Sequence, residues 1–300
     1  MKAYKEIVVI SGKGGTGKTS VTSSFAVLGG EDVVVADCDV DAADMHLLLE
    51  PQVLHQEDFY SGKTAVIETE GCVHCFKCKN VCRFDAINVI NGDFVVDELN
   101  CEGCSYCFHV CPTRTIKMLD ALSGKFFISK SRLGSFLVHA RLKIAADNSG
   151  KLVTKVRDEA KRIAVEQDKN LILVDGPPGI GCPVVASLTG ADYAVIVTEP
   201  TVSGKHDMNR VAELLEKMKI PAGVIINKAD LNTEIRDEIK DMVKKSGMEL
   251  ISELPYDKIF TDAITQGKTV VEYDKGIISK LLENSWEKIK NNTWKKENKK

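Results

Sequence analysis

The chain has 300 residues, with 40 basic and 43 acidic side chains and a net charge of −3, a balance that gives no electrostatic ground for nucleic-acid binding. No apolar run approaches the ~20 residues of a membrane span, and the first residues, Met1-Lys2-Ala3-Tyr4-Lys5-Glu6, lack a signal peptide's apolar stretch. Ten cysteines without a secretory signal are therefore expected as thiols or thiolates in a reducing cytoplasm rather than as disulfides.

The first expected strand, Ile7–Ile10, runs into Gly12-Lys13-Gly14-Gly15-Thr16-Gly17-Lys18-Thr19, and a helix follows over Ser20–Leu28. Strand, glycine-rich loop and helix start together form a phosphate-binding P-loop, with Gly12, Lys13, Gly14, Gly15, Thr16, Gly17, Lys18, Thr19 and Ser20 as the candidate nucleotide contacts. The glycines let backbone N–H groups wrap the phosphates, Lys18 reaches the β and γ oxygens, and Thr19 is a ligand for Mg²⁺. A second strand, Val33–Ala36, leads to Asp37-Cys38-Asp39-Val40-Asp41 and to a helix expected over Ala42–Leu49, which Asp41 or Asp44 could cap. The polar stretch His55–Gly62 reads as the entry to an insert that ends near Ser129. The organisation expected is one discontinuous domain, 1–60 with 130–300, and an inserted domain, 61–129.

Eight of the cysteines lie in that insert, in two runs of one spacing: Cys72-x2-Cys75-x2-Cys78-x3-Cys82 and Cys101-x2-Cys104-x2-Cys107-x3-Cys111-Pro112. This is the ligand run of a [4Fe–4S] ferredoxin, in which the last cysteine of each run serves the other cluster. Three close thiolates take three corners of a cubane, and the fourth corner is reached from farther away. Cys72, Cys75, Cys78 and Cys111 are then one ligand set, and Cys101, Cys104, Cys107 and Cys82 the second. A shift of 29 positions superposes the runs and carries Ile87 onto Ile116, so the insert is an internal repeat. Each run is followed by an expected strand–turn–strand, Ile87–Val96 around Asn91-Gly92 and Ile116–Ile128 around Ser123-Gly124. The competing reading is zinc, which takes cysteines in two C-x2-C pairs. Arg83 stands where the common run has proline, and His74 and His109 fall inside the runs as polarity rather than ligands.

Beyond the insert the strands Leu171–Val174, Ala194–Val197, Gly223–Ile226 and Glu249–Ile251 alternate with helical stretches, the pattern of a parallel sheet covered on both faces. Ligands of such sheets gather at the carboxyl ends of the strands. There stand Asp175 with Gly176-Pro177-Pro178-Gly179, and Asn227-Lys228-Ala229-Asp230. The segment Ile277–Ile289 has a helical apolar face with Trp286 nearby, and a lysine-rich tail, Lys295–Lys300, follows. That helix can either pack on the sheet or lie on a membrane surface.

With Lys13 after the first glycine, the chain resembles the MinD/ParA/nitrogenase-iron-protein superfamily of deviant P-loop ATPases, in the type with an inserted two-cluster ferredoxin domain. The resemblance implies an α/β P-loop NTPase with a mostly parallel sheet, plus a ferredoxin-like α+β insert carrying two clusters. It implies that Lys13 crosses a dimer interface to the partner's nucleotide, that Asp39 orients the attacking water, and that Asp175 supports Mg²⁺. Asn227-Lys228-Ala229-Asp230 spells the guanine-reading motif of GTPases, whereas in this family the asparagine reads adenine; Pro255 resembles the loop against the base. Cys182, seven residues past Asp175, matches the place of an inter-subunit cluster ligand in the nitrogenase iron protein, but it can equally be a packed switch-loop residue. The function implied is a Mg²⁺-dependent ATPase that couples nucleotide-dependent homodimerisation to electron transfer through two [4Fe–4S] clusters. Its redox or assembly partner is not named by the sequence, and neither nucleic acid nor a membrane is expected. The alternative is a metallocentre-assembly ATPase, and behind it a MinD/ParA-type positioning protein.

Overall fold

The structure, a computed structural model, describes residues 4–143, 146 and 149–294. The basic tail Lys295–Lys300 and the residues Met1–Ala3 lie outside them. The strands in chain order are β1 (Lys5–Ser11), β2 (Val33–Asp37), β3 (Gln52–Ile67), β4 (Ile87–Ile90), β5 (Asp93–Val96), β6 (Ile116–Lys130), β7 (Phe136–Leu142), β8 (Leu171–Pro178), β9 (Tyr193–Thr198), β10 (Ala222–Ile226) and β11 (Glu249–Glu253). The main sheet runs β11-β10-β9-β1-β8-β2-β7-β6-β3, and every pair from β11 to β7 is parallel. Its central strands are Val/Ile/Leu runs buried along their length, as a sheet covered on both faces demands. Ile7, Val9, Val33, Val35 and Leu173 join Phe25 and Trp286 in one apolar core, where the two rings stack at 5.4 Å between centroids. The C-terminal helix Ile277–Trp294 turns Ile278, Leu282, Trp286 and Ile289 into this core, so its apolar face is packed.

The chain divides into two compact units. One holds 4–56, 126–141 and 149–294; the other holds Glu57–Lys125 with a short returning segment from Leu142. In the second unit β4 and β5 form the expected antiparallel hairpin. Asn91 and Gly92 both have positive φ, the conformation that a two-residue turn of the right twist requires. Ile116–Ile128 departs from expectation: it is not a strand–turn–strand but part of one strand, β6, because Ser123 sits within the ladder and its hydroxyl donates to the Ser61 carbonyl at 2.7 Å. The repeat is thus faithful around the cysteines and broken after the second run. Two further strands were masked by their composition. In β3 most side chains are exposed and polar residues hide the alternation; in β7 His139 and Arg141 interrupt the apolar run. The helix expected over Ala42–Leu49 is only Met45–Leu49, and Asp44 stands at its N-cap without a capping bond.

Candidate functional site

Strand β1 ends at Ser11, and the chain turns through the glycine loop into the helix Lys18–Gly29. Gly17 is the N-cap with φ 89°, and a Cβ there would lie 2.4 Å from Asn227 Nδ2. Both the left-handed backbone and the close approach exclude a side chain. Gly17→Ala is accordingly expected to weaken ATP binding by about tenfold or more, the equivalent of ~1–3 kcal/mol of backbone strain, with little change in far-UV circular dichroism; calorimetric titration of the variant checks it.

Lys18 is buried and its ammonium lies 2.8 Å from Asp175 Oδ2 and 3.3 Å from Asp39 Oδ2. Thr19 Oγ1 donates to Asp175 Oδ2 at 2.9 Å, and Thr22 Oγ1 to Asp175 Oδ1 at 2.8 Å. The Asp39 amide donates to Asp37 Oδ1 at 3.2 Å. Three carboxylates from the ends of β2 and β8 therefore surround one cation. Burial, then the neighbouring Asp175, pushes the Asp37 carboxyl well above its ordinary range. Burial also raises Asp39, against the opposing pull of Lys18. Burial alone would lower Lys18, but Asp175 and Asp39 hold it above its ordinary value. This is a compact, charge-rich pocket at the carboxyl edge of the sheet, with a threonine hydroxyl and an aspartate side by side where a divalent cation would meet phosphate.

Lys13, expected to act across a dimer interface, makes contacts within its own chain in this single-chain structure. Its ammonium is held within its own chain, 2.6 Å from Glu199 Oε1, and it donates to Thr201 Oγ1 at 3.2 Å and Ser203 Oγ at 3.0 Å. Lys228 takes the other oxygen of the same carboxylate, Glu199 Oε2, at 2.7 Å and also donates to the Gly15 carbonyl at 3.2 Å. Burial would raise Glu199, but the two ammonium groups hold it below its ordinary value. Asn227 is buried and its Nδ2 donates to the Thr16 carbonyl at 2.8 Å, so the asparagine braces the phosphate loop from behind. Asp230 Oδ1 accepts the Tyr256 amide at 2.6 Å, which ties the motif to the loop containing Pro255. Glu199 is the residue at this site that the sequence does not announce. It sits one residue past β9, and only its place at a strand's carboxyl end, beside Pro200, could have signalled it.

In the second unit the cysteines fall around two cavities. One is lined by Cys72, Cys75 and Cys78 of the first run with Cys111 of the second. The other is lined by Cys101, Cys104 and Cys107 with Cys82. Around Cys111, burial raises the thiol, but the hydroxyls of Thr115 and Thr113 bring it down to about 7. Among the described residues no three His, Cys, Asp or Glu side chains converge as a ready-made metal site; the cysteine sets surround space instead. Neither His74 nor His109 lines either cavity. Cys182 is exposed at the start of the helix Cys182–Leu188, whereas Cys38 is buried, and burial raises its thiol well above the ordinary value.

Residues 7–270 match the CobQ/CobB/MinD/ParA nucleotide-binding domain. The chain belongs to this family. Among its relatives of the CobQ/CobB/MinD/ParA family, the uncharacterized protein MJ0578 of Methanocaldococcus jannaschii is 33% identical over 235 residues, covering 76% of this chain and 79% of that one. MinD of Escherichia coli K12 is 23% identical, over 88% of this chain and 83% of its own. In fold the chain is similar to Pyrococcus horikoshii MinD, whose structure holds Mg-ADP, with a TM-score of 0.58 at 18% identity over 98% of both chains. Aquifex aeolicus MinD gives 0.57 at 22% identity, over 96% of this chain and 97% of that one. The MinD/ParA family places the chain among nucleotide-binding proteins with an α/β P-loop fold and a mostly parallel sheet. No helix among the described residues is long and apolar enough to cross a membrane.

Proposed function

We propose that the chain is an ATP-hydrolysing iron–sulfur protein in which nucleotide-dependent dimerisation governs electron transfer through two [4Fe–4S] clusters held by residues 61–129. The observation that supports it most is the composition of the two cavities: each gathers three cysteines of one run and the last cysteine of the other. Four thiols with no lining histidine suit an iron–sulfur cluster's donor set, and the three-plus-one spacing departs from the paired spacing of zinc sites. Cys72, Cys75, Cys78 and Cys111 would hold one cluster and Cys101, Cys104, Cys107 and Cys82 the other; when bound, such clusters supply reversible one-electron storage.

On the nucleotide side Lys18 reaches the β and γ oxygens, Thr19 and Asp175 would hold Mg²⁺, and Asp39 orients the water that attacks the γ-phosphoryl group. Asn227, whose amide also donates to the Thr16 carbonyl, and Pro255 would meet the adenine. For Lys13 to act on a partner's nucleotide it must first leave Glu199, so the Lys13–Glu199 pair sets a threshold for dimerisation. Lys13→Ala is expected to abolish ATP-stimulated dimerisation and turnover while the cysteine sites stay loaded. Glu199→Gln is expected to raise the ATP-dependent dimer fraction several-fold. Light scattering with and without ATP, beside a phosphate-release assay, checks both, and an unaltered ATPase rate in Lys13→Ala would remove the lysine from the mechanism.

A second reading is a positioning protein of the MinD/ParA type, favoured by the nearly full-length similarity to septum site-determining MinD. The inward packing of the C-terminal helix does not supply the free amphipathic face that membrane attachment needs. Co-sedimentation with anionic liposomes or DNA in the presence of ATP distinguishes the two readings.

A further inference from the structure

The two cysteine cavities are built on one backbone but furnished differently. Cys82 and Cys111, equivalent in the repeat, have φ and ψ of −70° and 113° against −71° and 114°. Phe76 and Ser105 share a left-handed conformation, as do Asp85 and Arg114. Side chains at matching positions can therefore be compared one for one.

Beside the last cysteine of each run the hydroxyls fall on one side only; Ser105 and Tyr106 also line the Cys82 cavity, but the Ser105 hydroxyl donates to the Gly103 carbonyl at 3.3 Å. Thr115 Oγ1 lies 3.5 Å from Cys111 Sγ, and Thr113 Oγ1 lies 3.7 Å from it. Thr115 is buried and its hydroxyl is also 3.4 Å from that of Thr113. The equivalents beside Cys82 are Ala86 and Phe84, which carry no donor. The charges divide in the same sense. Lys77 lines the Cys111 cavity where its equivalent, Tyr106, lines the other, and Glu102 lines the Cys82 cavity where its equivalent, Val73, lines the first. Arg114 follows Cys111 at the place where Asp85 follows Cys82. Arg83, in place of Pro112, and Glu70, in place of Leu99, run against the trend. Lys77, Glu102, Arg83, Asp85 and Arg114 are all exposed and screened by water and salt, so the hydroxyls are the dominant difference.

A thiolate has no proton to donate, so with Cys111 as a ligand the threonine hydroxyls must be the donors. Hydrogen bonds to the ligand sulfur, like nearby positive charge, favour the more negative, reduced state and raise the reduction potential. We infer that Thr113 and Thr115 make the two cluster sites unequal, so that the site of Cys72, Cys75, Cys78 and Cys111 is reduced before that of Cys101, Cys104, Cys107 and Cys82. This rests on the cluster reading proposed above. An electron delivered by a one-electron donor comes to rest at the Cys111 site, and the Cys82 site fills only at lower potential.

The test is an anaerobic potentiometric EPR titration of the full chain, reconstituted with iron and sulfide. The wild type is expected to show two separate one-electron waves. Thr113→Val/Thr115→Val is expected to lower only the upper wave, by about tenfold in the reduction equilibrium, or ~59 mV for one electron. Phe84→Thr, on an exposed position, is expected to raise only the lower wave by supplying the missing hydroxyl. A single coincident wave in the wild type, or valine substitutions that leave both waves in place or move them equally, overturns the inference. Iron and acid-labile sulfide are counted on the same samples: a chain that retains zinc or no sulfide overturns the cluster reading itself, and this inference with it.

Discussion

Lys18→Met is expected to reduce ATP turnover by about a hundred- to a thousandfold and to destabilise the fold at neutral pH. The first effect follows from losing the one buried cation that meets the charge developing on the transferred phosphoryl group. The second follows from what Lys18 touches. Asp175 at 2.8 Å and Asp39 at 3.3 Å would be left with Asp37 in a buried pocket without a cation, and breaking a buried charge pair from one side costs about 3–5 kcal/mol.

The pH dependence has a definite sign. Asp37 and Asp39 are raised in the fold by burial, so the folded chain binds their protons more tightly than the unfolded chain. Stability therefore falls as pH rises from the unfolded carboxylate value toward the raised folded values. Lys18, held above its ordinary 10.5, contributes in the opposite region: its stabilisation is complete below that value and is lost as pH rises through the folded one. Without Lys18 the carboxylates rise further, so the variant should regain part of its lost stability when the pH is lowered from about 7 toward about 5. Thermal melts of both proteins across that range check this. A variant whose melting temperature tracks the wild type at every pH would show that Lys18 does not compensate the carboxylates.

Cys82→Ala and Cys111→Ala are each expected to halve the iron content, and in a crossed pattern. If each cavity is one ligand set, Cys82 and Cys104 serve the same site although they belong to different runs. Cys82→Ala/Cys104→Ala should then retain as much iron as either single variant, about four atoms. Cys82→Ala/Cys75→Ala should lose both sites, because Cys75 lines the other cavity. Ligation within each run makes the opposite forecast, with Cys82 and Cys75 equivalent and Cys82 and Cys104 additive. The comparison uses non-additivity of residues in one site as its ruler. It is a large, all-or-none effect rather than a graded one.

The parts legible in the sequence are those where one physical demand fixes the residue type. Near-continuous Val/Ile/Leu runs had to be buried parallel strands, and β1, β2, β8, β9, β10 and β11 lie where those runs stand. Gly17 could be anticipated because only glycine combines φ 89° with the close approach of Asn227. What stayed hidden depends on long-range pairing. The polar exterior of β3 conceals its strand, and β6 continues through Ser123-Gly124 because its ladder outweighs a local turn signal. Glu199 was invisible because its meaning comes from two lysines, Lys13 and Lys228, far away in the chain. The family resemblance implies a role for Lys13 across a dimer interface; its pairing with Glu199 within the chain was not legible in the sequence.

The central claim, two cross-paired cluster sites in a MinD-type nucleotide-binding protein, is tested most directly by iron and acid-labile sulfide analysis of the anaerobically prepared chain, with EPR of the dithionite-reduced sample. The account requires about eight iron and about eight sulfide per chain, with the EPR signal of reduced [4Fe–4S] centres. Stoichiometric zinc, or iron without sulfide, would contradict it.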